Sequence, residues 1–329
     1  MPVDGFGRRI DYLRLSITDR CNFRCTYCLP VVFGRFQPSE NILSDDEIVT
    51  LVEQFAAEGF TKIRITGGEP LVRPGVCELV GRIAQVPGIS DVSMTTNGMF
   101  LAREARALAR AGLRRINVSV DTLDPDRFKE VTRYGDLQRV LDGLEAAVDA
   151  GIEPVKINCV VARGMNGDEI AQFADLTVRR RLHVRFIELM PMGETGFFSK
   201  EKHLPLADMM QAAGPLVAVE ADGRPVGHGP ARYYKRPHAL GTVGFISALS
   251  CGFCDTCNRV RLSATGVLVP CLDGEDGIDL RGPLRSGAGF EAIRGIIADA
   301  IAGKPERHHM VERAAANSEN SRFMCQIGG

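Results

Sequence analysis

The chain alternates strand and helix six times before its texture changes. Strand-like runs, short and rich in β-branched residues, occur at Leu13–Thr18, Lys62–Thr66, Asp91–Thr96, Arg115–Asp121, Pro154–Val161 and His183–Leu189. Each ends on polar or glycine punctuation. The clearest helical stretch starts at Ser44, an N-cap with Glu47 completing a capping box. Ile48, Leu51, Val52 and Phe55 make its apolar face, and Gly59 stops it. A second stretch, Leu137–Ala150, turns Val140, Leu141, Leu144 and Val148 inward and stops at Gly151. Strands joined by helical crossovers imply a parallel α/β sheet. Six units fall short of the eight of a closed barrel. A partial (βα)6 barrel and a doubly wound sheet both satisfy this pattern.

Beyond about Pro191 the order is looser. Leu206–Ala213 reads as a helix, Leu216–Gly244 as short strands with turns, and Phe290–Ala302 as a helix. The division expected is a core over residues 1–200 and a smaller C-terminal domain over 201–329. The tail from Ala314 is polar and reads as poorly ordered.

The net charge of −1 gives no global attraction to nucleic acid or anionic membrane, so any anionic ligand needs a local basic cluster. No signal-peptide pattern and no apolar run near the ~18 residues of a membrane span are seen, so a cytoplasmic protein is expected. Clustered thiols then mean metal or catalysis rather than disulfides. Ten cysteines are present; seven fall in two clusters, and Cys77, Cys159 and Cys325 read as isolated apolar residues.

Cys21, Cys25 and Cys28 follow the first strand with spacing C-x3-C-x2-C. Three thiolates wrap one face of an iron–sulfur cubane and leave one iron open, as a catalytic centre requires. Zinc, which favours C-x2-C pairs, is the competing reading. This motif, with Tyr27 before the last cysteine, resembles the radical SAM superfamily. There the open iron chelates S-adenosylmethionine (SAM), and one electron cleaves it to a 5′-deoxyadenosyl radical. Thr66-Gly67-Gly68-Glu69-Pro70 resembles that family's SAM-binding turn, which implies Gly68 and Glu69 as ligands of the SAM amino group. Ser119 and Met190 match further SAM-contact positions.

The second cluster is Cys251, Cys254, Cys257 and Cys271, for which a zinc ribbon is the competing reading. Arg259 and Arg261 follow at alternate positions of a strand-like run and ask for an anionic partner. Together with Leu13–Cys21, Phe186–Pro191 and the terminal Gly328-Gly329, this segment resembles the molybdenum-cofactor biosynthesis protein A (MoaA) family, the GTP 3′,8-cyclases, over nearly the whole chain.

The resemblance implies a lyase that converts GTP to 3′,8-cyclo-7,8-dihydro-GTP, the first step toward molybdopterin. It implies two [4Fe-4S] clusters, the second on Cys254, Cys257 and Cys271 with an open iron for the purine. It implies Arg14, Lys62, Arg64, Thr95, Lys156, Arg185, Arg259 and Arg261 around GTP, and Gly328 and Gly329 threading into the site. Cations at alternate strand positions would indeed converge inside a barrel, where a triphosphate offsets their burial. The implied partners are a flavodoxin or ferredoxin as reductant, cyclic pyranopterin monophosphate synthase (MoaC) downstream, and a second copy in a homodimer, with no nucleic acid or membrane. A radical SAM peptide-modifying enzyme with an auxiliary cluster is the alternative. Cys251 departs from the family and makes a closed four-thiol set possible; the three-thiol set is expected because its surroundings match. Asp273, where an aromatic is usual, and the Val31-Val32 loop also depart.

Overall fold

The computed structural model describes residues 2–30, 32–34 and 36–328. Six strands form the first part: β1 (Tyr12–Ser16), β2 (Lys62–Thr66), β3 (Asp91–Thr96), β4 (Arg115–Ser119), β5 (Val155–Val161) and β6 (His183–Glu188). Between them lie α1 (Asp45–Ala57), α2 (Val76–Ala84), α3 (Leu101–Arg110), α4 (Pro125–Thr132), α5 (Leu137–Asp149) and α6 (Ile170–Arg179). All six strands are parallel and pair in sequence order, 1-2-3-4-5-6. A doubly wound sheet reverses its strand order at a switch point. No reversal occurs here, so the partial barrel is the fold.

The remaining chain extends both ends of this sheet. It supplies α7 (Leu206–Ala212), β7 (Val217–Ala218), β8 (Arg232–Lys235), β9 (Thr242–Ile246), β10 (Arg259–Leu262), β11 (Val267–Val269) and β12 (Ile278–Asp279). Helices α8 (Arg281–Arg285), α9 (Phe290–Ala302), α10 (Met310–Ala315) and α11 (Met324–Ile327) follow. Strand β10 joins β1 and β9 joins β6, both parallel, giving one sheet ordered 12-11-10-1-2-3-4-5-6-9-8-7.

The Ser44 cap is present: its hydroxyl accepts from the Glu47 amide at 3.1 Å, and Glu47 accepts from the Ser44 amide at 2.8 Å. Its four predicted apolar residues are all buried. In α5 the inward face is Leu137, Val140, Leu144 and Ala147, whereas Val148 is 52% exposed. Leu141 is half-buried at the edge of that face, and Val148 lies beyond it. The polar tail is also not the loose end its composition predicts. Asn320, Phe323, Cys325 and Ile327 are all buried. The Asn320 amide donates to Pro191, its carbonyl accepts from Gly193, and its side chain donates to the Asp273 carbonyl, each at 2.8–2.9 Å. Composition could not reveal these partners, which come from distant loops. No helix among the described residues is long and apolar enough to cross a membrane.

Candidate functional site: a cationic barrel cavity between two thiol sets

Register decides which side chains share the interior. In a parallel pair, matched residues lie at one level and face one side. Arg14 matches both Arg64 and Arg261, Thr95 matches Asn117, Asn117 matches Lys156, and Asn158 matches Arg185. All of these line one cavity along the barrel interior, with Tyr12, Arg115, Ser119, Arg259 and Lys304. Opposite Arg185 stands Gly244, where an added Cβ would lie 3.1 Å from the Arg185 side chain. The glycine leaves the room that the arginine occupies.

Eight cationic side chains line the cavity: Arg14, Arg64, Arg115, Lys156, Arg185, Arg259, Arg261 and Lys304. Asp121 is the only carboxylate among its described lining residues. Burial, reinforced by Arg185, Arg115 and Arg64, brings the Lys156 ammonium down to about 6. Burial beside Arg259 likewise lowers Arg261 to about 10. Such crowding is costly without an anion, and a multiply charged one matches it.

The first thiol set follows β1. Cys21, Cys25 and Cys28 line the cavity, and all three are free. The loop is tied to the end of α4, where Arg24 and Thr26 amides donate to Thr132 and Val131 at 3.0 and 2.9 Å. The Tyr27 hydroxyl donates to Asp121 at 2.7 Å, and Asp121 also accepts from the Val160 amide at 2.9 Å. Burial pushes Cys21 and Cys28 up to about 12, so the apo thiols are protonated, and bound iron would supply the charge that favours thiolate.

Gly67 and Gly68 line the cavity, but their smallness has a second cause. A Cβ at Gly68 would stand 2.4 Å from the Arg20 carbonyl, and one at Gly67 would stand 2.6 Å from that of Thr18. The turn lies edge to edge with the cysteine loop. Glu69 is held by the protein itself. It is 1% exposed and lies outside the cavity lining. Its carboxylate accepts from Leu71 and Asn97 amides and the Thr96 hydroxyl, at 2.9, 2.6 and 2.6 Å. These donors brace the turn against the loop that follows β3. Burial still pushes its carboxyl up to about 7.

The second thiol set lies at the opposite end of the strands. Cys257 comes two residues before Arg259, which is level with Tyr12 at the start of β1, whereas Cys21 lies beyond the end of β1. Cys254, Cys257 and Cys271 line the cavity; Cys251 does not. The loop is held by Arg8, which donates to the Cys254 carbonyl at 3.0 Å, and by Lys304, which donates to the Arg259 carbonyl at 2.9 Å. Burial opposes ionisation of Cys257, but Arg259 and Lys304 prevail and bring it down to about 7. Among the described residues no three His, Cys, Asp or Glu side chains close on a single metal ion. A [4Fe-4S] cubane takes its thiolates on separate irons, so the donor chemistry of a three-thiol set suits it and leaves one iron for a ligand, whereas structural zinc takes four converging donors.

Of the other predicted residues, Tyr27, Thr95, Ser119 and Met190 line the cavity. Lys62 does not; it pairs with Asp11 at 2.5 Å. Gly328 is buried, and a Cβ there would lie 2.3 Å from the Thr66 hydroxyl oxygen. Gly329 and Val31 lie outside the described residues. Asp273 accepts from the His309 amide at 2.7 Å and so fastens α10. Sequence reasoning missed Arg115, Asn117, Asp121, Asn158, His228 and Lys304. Alternation from Arg115 through Asn117 to Ser119 carried the signal for the first two.

Residues 15–177 match the family model described as Radical SAM superfamily, and residues 182–310 the one described as Molybdenum Cofactor Synthesis C. The GTP 3′,8-cyclase of Pelotomaculum thermopropionicum is 50% identical over 331 residues, covering 99% of each chain. That of Heliobacterium modesticaldum is 46% identical over 329 residues, covering 99% of this chain and 100% of its own. Streptococcus suis SuiB, solved with S-adenosylmethionine, shares the fold with a TM-score of 0.63 at 13% identity, over 97% of this chain and 78% of that one.

Proposed function

The chain belongs to the GTP 3′,8-cyclase family of radical SAM enzymes, and from that premise we propose how its own residues carry the conversion of GTP to 3′,8-cyclo-7,8-dihydro-GTP. The observation that carries the reading is one cavity with eight cationic side chains and a three-thiol set at either end. The peptide-modifying alternative has likeness of fold on its side, but a peptide gives no reason for so many converging cations.

In this reading Cys21, Cys25 and Cys28 hold one [4Fe-4S] cluster, and Cys254, Cys257 and Cys271 hold the other. Held by Cys21, Cys25 and Cys28, a bound cluster would supply one-electron reduction of SAM, the chemistry that initiates the reaction. Gly67, Gly68, Ser119 and Met190 bound the SAM end of the cavity, and Tyr27 with Asp121 fixes the cysteine loop there. Arg14, Arg64, Lys156, Arg185 and Arg261 neutralise the triphosphate and orient the ribose toward SAM. Thr95 and Asn117 add neutral polar contacts between them. Arg259 lies beside Cys257, at 3.7 Å from its sulfur, where the guanine would sit. Phe253, Leu272, Met310 and Met324 give that end an apolar lining that excludes water. Gly328 brings backbone, without a side chain, to the same interior.

The family resemblance also supports a flavodoxin or ferredoxin as electron donor, cyclic pyranopterin monophosphate synthase (MoaC) as the next enzyme, a homodimer, and a cytoplasmic setting. The reading is tested by equilibrium binding of GTP to the anaerobically reconstituted protein. Tight binding that Arg261→Ala weakens at least tenfold is expected, the scale of one lost charge-assisted contact. Equal affinity in both proteins would count against it.

A further inference from the structure

The segment Pro225–Pro230, between β7 and β8, crosses the cavity end at which the strands begin. The Val226 carbonyl accepts from Lys156 Nζ at 2.5 Å and from Arg115 Nη1 at 3.3 Å. His228 stands 3.5 Å from the Asp91 carboxylate and meets the Tyr12 ring edge-on, with centroids 6.2 Å apart. The segment thus touches residues at the starts of β1, β3, β4 and β5, and Gly227, His228, Gly229 and Pro230 all line the cavity. A Cβ at Gly227 would lie 2.8 Å from Lys156 Nζ and 3.3 Å from Arg115 Nη1. One at Gly229 would lie 4.0 Å from Arg185 Nη1. Side-chain-free backbone is therefore pressed against three buried basic side chains.

Lys156, Arg115 and Arg185 are 2%, 3% and 6% exposed, and among the described residues Arg115 alone of them pairs with a carboxylate, that of Asp91. A backbone carbonyl carries only a partial charge, so it leaves most of that cationic field uncompensated. The substrate's phosphates are the anions available to complete it. How many phosphates fit before meeting this backbone depends on where the segment lies.

We propose that Pro225–Pro230 is a gauge of phosphate-chain length, the wall against which the terminal phosphate of the substrate is read by Lys156 and Arg115. The proposal rests on the reading of the cavity as the GTP site. It makes Gly227 a specificity-determining position, because any side chain there enters the space of the terminal phosphate and displaces Lys156. His228, bridging Asp91 and Tyr12, holds the wall in place.

The test is equilibrium dialysis of GTP, GDP and GMP against the anaerobically reconstituted full chain, its Gly227→Ala variant and its His228→Ala variant. Iron per chain is measured for each as the check on folding. Gly227→Ala should weaken GTP about tenfold, the scale of one charge-assisted hydrogen bond, while GMP stays within about twofold. His228→Ala should narrow the preference for GTP over GMP in the same direction, and it decides the matter if Gly227→Ala fails to assemble. A shift of the same factor for all three nucleotides, or none, overturns the gauge while leaving the site intact. Failure of the unsubstituted protein to bind GTP overturns the reading of the cavity itself.

Discussion

The Arg261 guanidinium donates to the backbone carbonyl of Gly328, joining a cavity-lining cation to the C-terminal tail. This contact is possible because the tail is anchored upstream at Asn320 and leaves no side chain at residue 328. Gly328 has φ of 76°, a left-handed conformation that favours glycine, and a Cβ would also lie 3.2 Å from that of Ser16. Gly328→Ala should therefore lose cyclisation nearly as completely as deletion of Gly328 and Gly329, with iron content unchanged. Unchanged turnover with the full iron complement in either variant would refute the tail's role.

Cys251 is a bystander in this account. Its carbonyl accepts from the Ser247 hydroxyl at 3.3 Å, and its thiol lies outside the cavity lining. Cys251→Ser should keep about eight irons per chain after anaerobic reconstitution, whereas Cys257→Ser should fall to about four. Iron loss in Cys251→Ser would mean a closed four-thiol cluster.

Glu188, at the end of β6, holds the approach to the second thiol set. Its carboxylate is buried and accepts from the Leu249 and Ser250 amides at 2.8 and 3.0 Å. Both amides share one oxygen, and the other accepts from the Leu206 amide at 3.2 Å; Glu188→Gln sets a donor against that amide, a cost of about 1–3 kcal/mol. The expected result is a lower melting temperature and weaker iron retention at the second site, with the first site retained. Mössbauer or EPR quantitation of each cluster distinguishes the two.

Lys156 gives a pH signature. In the nucleotide-free protein its ammonium titrates at about 6, facing Arg64, Arg115, Arg185, Asp91 and His183. The unfolded chain holds that proton up to the ordinary lysine value of about 10.4, so this group makes the free protein more stable as pH rises through that window. A bound triphosphate favours the charged form, so GTP binding near neutral pH should take up close to one proton, and affinity should fall as pH rises above about 6. Calorimetry in buffers of different ionisation heat reads the uptake. Lys156→Met should abolish that component; an unchanged proton count would assign it elsewhere.

Much of this molecule is legible in its sequence because the signals are local. Strands β2 and β3 and helix α9 coincide with the predicted spans residue for residue, since β-branched alternation and glycine stops act over a few positions. The first three-thiol set is readable from its spacing, whereas the second, with Cys251 beside it, is narrowed to three only by the family resemblance. The errors concern partners brought from far away. Glu69 accepts from Thr96 and Asn97, partners no local pattern names; Lys62 looked inward-facing, but it pairs with Asp11 outside the cavity lining. The tail looked loose, yet loops after β6 and around Asp273 hold Asn320. Arg115 escaped notice although its strand alternates, because only the closing of the barrel shows which face is interior.

Product analysis decides whether this protein cyclises GTP. Protein carrying about eight irons per chain is incubated anaerobically with SAM, GTP and a strong reductant. The expected products are 5′-deoxyadenosine together with 3′,8-cyclo-7,8-dihydro-GTP, each dependent on the other substrate being present. Absence of both products from fully loaded protein, or 5′-deoxyadenosine formed without any change in GTP, would contradict it.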